Sequence, residues 1–132
     1  MHIGLLEDDI AIQEMLKLVL QDENYAVTIY PTAEECLDAL LTAKQDQAYR
    51  PFDLLIVDWR LPGLVSGIQV IQKIRDTTRF RALPIILTTA ASFSDTPELD
   101  GLQVTFLEKP FAIDEMVDMI KILTRSDVVS ER

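Results

Sequence analysis

Cysteine occurs once in this chain, at Cys36. A single thiol closes no internal disulfide and builds no Cys-based zinc cage. Bases are scarce: 12 Lys and Arg stand against 22 Asp and Glu, for a net charge of −10. Such a balance disfavours direct binding of a phosphate backbone by this domain. Long hydrophobic runs are absent, so no segment reads as a membrane span. The first nine residues have no basic region and carry three acids, and do not read as a signal peptide. Gly/Ser linkers, repeats and low-complexity tracts are missing as well. What remains is 132 residues, 48% apolar and 26% charged. That is the size and composition of one globular domain. A cytoplasmic protein with a reduced thiol is expected.

Apolar runs at Ile3–Leu6, Leu54–Val57, Ile85–Thr88 and Val104–Leu107 read as strands, with a weaker one at Ala26–Tyr30. They do not alternate with polar residues, which is the pattern of strands buried on both faces of a parallel sheet. Between them the period changes to that of helices. Ile12, Met15, Leu16, Val19 and Leu20 form one stripe. Thr32 with Glu35 has capping-box spacing ahead of Leu37, Leu40 and Leu41. Ser66 stands as an N-cap before Gly67, Ile68, Ile71 and Ile74. Asp114 precedes Met116, Val117, Ile120 and Leu123. The segment Ala90–Gln103 is poor in apolar residues and contains Pro97, so a shortened or irregular fourth helix is expected there. Residues 1–124 are read as the domain and 125–132 as a polar tail or the start of a linker. The alternation implies an α/β fold with a doubly wound, five-stranded parallel sheet, whose ligands sit beyond the carboxyl ends of the strands.

At those strand ends the chemistry matches. Glu7, Asp8 and Asp9 follow the first run, Asp58 the third, Thr88 and Thr89 the fourth, and Lys109 with Pro110 the fifth. Converging carboxylates repel and call for a cation. Oxygen donors without His or Cys favour a hard ion such as Mg²⁺. Lysine and threonine can hold phosphate oxygens, and one carboxylate is available as a nucleophile. Taken singly, each residue has a plainer role: Asp9 sits where an N-cap of the first helix belongs, and strand ends are commonly polar.

The runs Leu-Leu-Glu-Asp-Asp, Leu-Leu-Ile-Val-Asp-Trp-Arg-Leu-Pro-Gly, Leu-Pro-Ile-Ile-Leu-Thr-Thr-Ala and Phe-Leu-Glu-Lys-Pro-Phe occur in that order. Together they resemble the receiver domain of two-component response regulators, from about His2 to Leu123. The resemblance implies a flavodoxin-like fold in which Asp58 takes a phosphoryl group from a sensor histidine kinase or phosphotransfer protein. It implies Mg²⁺ held by Asp8, Asp58 and the backbone carbonyl of Arg60, with Glu7 acting through water. Asp9 is then a further acid, although Asp8–Asp9 is the alternative pair. It implies Thr89 and Lys109 on the phosphoryl group, Phe106 as the aromatic whose orientation follows Thr89, and a cis bond before Pro110. The domain would modify itself without turning over an external substrate. It would act on a downstream protein target or effector domain, and dimerisation on phosphorylation is compatible with this. The chain departs from the family in three places. Gly67 is the ninth residue after Asp58, one later than usual, the Gly-Ala usually found before the last strand is missing, and Ala43–Pro51 makes an extended connection before the third strand. Three other readings compete: a metal-dependent phosphohydrolase, a flavodoxin-like cofactor binder and a phosphorylation-independent pseudo-receiver. Arg60 stands where a phosphohydrolase of this kind carries its second acid, and Glu7–Asp9 would repel the phosphate of FMN.

Overall fold

The computed structural model describes residues 1–45, 51–58, 67–77, 80–89, 101 and 103–130, those at 41–45 and 125–130 as backbone only. The chain runs β1 (His2–Leu6), α1 (Ile10–Asp22), β2 (Ala26–Tyr30), α2 (Ala33–Gln45), β3 (Leu54–Asp58), α3 (Gly67–Asp76), β4 (Ile85–Thr89), β5 (Thr105–Glu108) and α4 (Ile113–Ser130). All strands pair in parallel in the order β2-β1-β3-β4-β5. Every residue of β3 and β4 is buried, whereas the edge strands β2 and β5 are largely half-covered or exposed. This explains why the inner strands read as unbroken apolar runs and Ala26–Tyr30 as a weak one.

Two apolar layers sandwich the sheet. One gathers Leu6, Leu55, Val57, Ile85 and Leu87 with residues of α2 and α3, including Cys36 and Ile71. The other gathers Ile3, Leu5, Leu54, Ile56 and Ile86 with Leu16 and Leu20 of α1 and Met116 and Ile120 of α4. Alternate residues of each strand serve opposite layers, and the five expected strands and the doubly wound layering are observed. Cys36 is fully buried, and burial pushes its thiol up to about 12, leaving it inert at neutral pH.

Local chemistry sets the element ends. The Asp9 carboxylate accepts from Ile12 N at 3.1 Å and caps α1. The helix leaves through Asn24 at φ 67°, a left-handed position that asparagine tolerates. The Thr32 hydroxyl accepts from Glu35 N and donates to the Glu35 carboxylate, each at 3.2 Å, so the spacing read from sequence does cap α2. Four strands run one residue beyond or out of step with the apolar runs, β1 by starting at His2. β3 takes in Asp58 and β4 takes in Thr89, because the ladder pairs Asp58 with Thr88 and Thr89 with Glu108. β5 starts at Thr105 instead of Val104. The backbone of residues 125–130, expected as a tail, continues α4. No glycine or proline lies between Ile113 and Ser130 to stop it. Ser66 and nearly all of Ala90–Gln103 lie outside the described residues.

Gly4 has a steric reason. A Cβ there would lie 2.7 and 2.9 Å from two ring atoms of Phe52 and 3.0 Å from a methyl of Leu55. Phe52 is fully buried and meets the Tyr30 ring edge-on at 5.9 Å, so it has no room to retreat. Gly4→Ala is expected to destabilise the fold by about 2 kcal/mol, lowering Tm by about 6 °C. Thermal melts of Gly4→Ala alone and with Phe52→Leu check this, since the smaller side chain should recover part of the loss. At the far end of the sheet, the Arg75 guanidinium donates to the carbonyls of Arg81, Leu83 and Gln103 at 2.8–2.9 Å. It ties the end of α3 to the entries of β4 and β5.

Candidate phosphoacceptor and metal site

The strand order reverses between β1 and β3: from β1 the chain moves outward to β2, then crosses back to β3 on the other side. The crevice beyond the carboxyl ends of these two strands is where an open α/β sheet binds ligands. β1 delivers Glu7 and Asp8 to it, and β3 delivers Asp58. One carboxylate oxygen from each of the three lies within 4.8 Å of the others. Glu7 and Asp58 are buried, at 3% and 7% exposure, while Asp8 is open to solvent. Asp9 is not in this group. Its side chain caps α1, and its N–H donates to the Glu7 carboxylate at 3.2 Å. The arrangement thus clusters Glu7 with Asp8 and turns Asp9 to the helix.

Lys109, just past β5, reaches across β4 and places Nζ 3.2 Å from Asp58 Oδ1. Its backbone N–H donates to the Thr89 carbonyl at 2.7 Å, and the Lys109–Pro110 bond is cis. Thr88 stands beside Asp58 in register, with its hydroxyl 3.4 Å from the Val57 carbonyl. Thr89 is buried one residue further on, at the end of β4. Phe106 lies outward and is 45% exposed. Trp59 and Arg60, the latter expected to offer a carbonyl ligand, lie outside the described residues.

The electrostatics follow from this crowding. Burial pushes the Glu7 carboxyl up to about 7, helped by the charge of Asp58 and opposed by the Asp9 N–H and by Lys109. Its ordinary value is 4.5, so the metal-free fold favours the protonated form. Below the ordinary value both folded and unfolded chains hold the proton, and there is no penalty. Between the two values only the unfolded chain releases it, so stability falls as pH rises; above the folded value the penalty is complete. Glu7→Gln removes this penalty. In chelator it is expected to melt about 5 °C above the wild type near pH 8 and to match it near pH 4.5. Paired melts at the two pH values measure this, and an equal offset at both would assign the effect to packing.

An all-oxygen donor set of two buried acids and one exposed acid fits a hard divalent cation that retains several waters. Beside the carboxylates, between α1 and the sheet, lies a chamber of about 430 Å³. Its walls are apolar and include Leu5, Met15, Leu16, Ile56 and Phe111, and Glu7, Asp58 and Lys109 line it too. Nothing in the sequence signals this space, because it depends on the distance between packed layers.

Comparison with known proteins fits this geometry. The family model described as the response regulator receiver domain matches residues 3–121. The chain is 34% identical over 129 residues to the transcriptional regulatory protein YkoG of Bacillus subtilis, covering 96% of this chain and 52% of that protein. A crystal structure of a response regulator from Chloroflexus aurantiacus superposes with TM-score 0.76 at 28% identity, covering 92% of this chain and 95% of the other. The receiver domain of sensor histidine kinase PA1611 from Pseudomonas aeruginosa, solved with a magnesium ion in its active-site cleft, superposes with TM-score 0.74 at 26% identity, covering 92% and 95%. The chain belongs to the response-regulator receiver domain family of two-component signalling. It spans about half the length of the curated relatives it matches.

Proposed function

We propose that this domain accepts a phosphoryl group on Asp58 from the phosphohistidine of a sensor histidine kinase or phosphotransfer protein, and signals the modification to a downstream protein or effector domain. The observation that carries this reading is the convergence of Glu7, Asp8, Asp58 and Lys109 at the switch point of a receiver sheet. An Asp58 carboxylate oxygen attacks phosphorus, the P–N bond breaks, and its electron pair returns to the departing imidazole. Lys109 is already in contact with the nucleophile and can follow the charge onto the phosphoryl oxygens. Glu7, Asp8 and Asp58 would hold Mg²⁺, supported by the oxygen-only donors and by the ion in the PA1611 receiver domain. When bound, the ion neutralises charge on the transferring group, whose transition state demands little else of the protein.

The acyl phosphate is later hydrolysed at the same site, so the domain is substrate and catalyst of its own modification rather than an enzyme for external substrates. The Thr89 hydroxyl and the outward Phe106 are the proposed switch. Threonine drawn toward the phosphoryl group leaves space the ring can enter, shifting a two-state surface. Dimerisation on phosphorylation is compatible with such a surface. No helix among the described residues is long and apolar enough to cross a membrane, and a cytoplasmic site of action is proposed. To test the reading, the purified chain is incubated with a small phosphoramidate or acyl phosphate. One phosphoryl group per chain, labile to hydroxylamine, is expected with Mg²⁺ and none with chelator. Labelling that ignores the chelator would refute the metal-assisted mechanism.

A further inference from the structure

We propose that Gln13 is a positioning residue of the metal site: its amide holds the Glu7 carbonyl and thereby sets Asp8 where it can bind the divalent ion. Gln13 is the fourth residue of α1, half-buried, and its Nε2 donates to the Glu7 carbonyl at 2.6 Å. A carbonyl oxygen only accepts, so the amide must meet it with its nitrogen. The start of the helix does not call for this bond. Asp9 already caps α1 through Ile12 N, and Gln13 N closes the first turn on the Asp9 carbonyl at 2.9 Å. The Gln13 side chain instead reaches back two residues before the cap, into the turn that carries the acids. The peptide plane transmits its hold. The Glu7 carbonyl, the Asp8 nitrogen and the Asp8 Cα share one rigid plane, so fixing the oxygen fixes the point from which the Asp8 side chain leaves. Glu7 itself is held in other ways: its N–H donates to the Tyr30 carbonyl at 3.2 Å, its side chain is buried, and its carboxylate accepts from Asp9 N. Asp8 is exposed, so packing does not aim it, yet its carboxylate lies within 4.8 Å of the oxygens of Glu7 and Asp58. Gln13 acts on that carboxylate from the helix, through the backbone.

The inference rests on the metal reading, and the experiment separates the two. Mg²⁺ is titrated into the full chain against the emission of its single tryptophan, below the melt and at constant ionic strength. The wild type, Gln13→Met, Asp8→Ala and the double variant are compared. Methionine keeps the length and helix preference of glutamine but lacks the N–H donor. Partners that orient metal ligands are worth roughly 10- to 100-fold in affinity, so Gln13→Met should raise the Mg²⁺ Kd about tenfold. In the Asp8→Ala background the same change should matter by less than about twofold, because the side chain it positions is gone. In chelator, Gln13→Met should melt within about 2 °C of the wild type, since α1 keeps its Asp9 cap. At saturating Mg²⁺ its rate of Asp58 labelling should return to within about twofold of the wild type, since only the affinity for the ion has changed. A Gln13→Met chain that binds Mg²⁺ as tightly as the wild type would overturn the proposal. So would an equal loss in the Asp8→Ala background, which would make the effect independent of Asp8. A wild type that answers Mg²⁺ neither in emission nor in Tm would overturn the metal reading, and the assignment of Gln13 with it.

Discussion

Asp58→Asn takes up no phosphoryl group from a small phosphodonor under conditions that label the wild type fully. The argument is one of chemistry and placement. Asp58 is the acid at the end of the central strand β3, buried at 7% exposure and paired with Lys109 at 3.2 Å. Asparagine has the same shape, so the ladder contact with Thr88 and the packing of β3 persist. Its amide has no anionic oxygen to attack phosphorus, and the cluster loses one of three carboxylates. Incorporation, read by intact mass, should fall by at least about 10²-fold. A second readout separates lost chemistry from lost fold. Because the Asp58 charge helps to raise Glu7, its removal relieves repulsion, and the variant should melt at or above the wild type in chelator near neutral pH. Labelling at the wild-type rate would remove Asp58 from the role. Lost labelling with a much lower Tm would reduce the result to misfolding.

The parts of this molecule that depend on burial were visible in its residues. The inner strands are covered on both faces, so their apolar runs stand out from helical stripes, and the alternation leads to the sheet and to its ligand edge. The site residues could be found because that edge collects acids from β1 and β3 and a lysine from β5. Features that depend on distances between layers were not visible. Nothing about Gly4 announces that the Phe52 ring rests on its backbone. Nothing about Arg75 announces the three carbonyls it binds, since an arginine late in a helix has the same pattern on any solvated face. The choice between Glu7–Asp8 and Asp8–Asp9 as the acid pair turns on side-chain direction at a helix start. Two adjacent acids look alike in sequence, but only one can cap α1 while the other meets Asp58. Strand ends missed by one residue have a related cause. Hydropathy stops at Val57, whereas the hydrogen-bonded ladder carries Asp58 as well.

Lys109→Ala should separate phosphoryl stabilisation from metal binding, and its effects have opposite signs. The ammonium lies 3.2 Å from Asp58 Oδ1 and its side chain is 35% exposed, so it is close enough to follow charge onto a phosphoryl group while partly screened by water. Removing a preorganised cationic donor of this kind costs on the order of 10²–10³ in rate. The initial rate of Asp58 labelling at saturating Mg²⁺ should fall by that factor. Mg²⁺ affinity should move the other way, because a cation competing for the same carboxylates is gone; this outweighs the further upward push on Glu7, for which Lys109 is the smallest of the causes. Titrating Mg²⁺ against Tm, and against the emission of the chain's single tryptophan, reads this directly. Lys109→Arg keeps the charge and should recover much of the rate, though a planar guanidinium fits a point contact imperfectly. An unchanged labelling rate in Lys109→Ala would show that the lysine serves only to neutralise the resting cluster. A parallel loss of rate and Mg²⁺ affinity would assign it instead to holding the carboxylates in position for the ion.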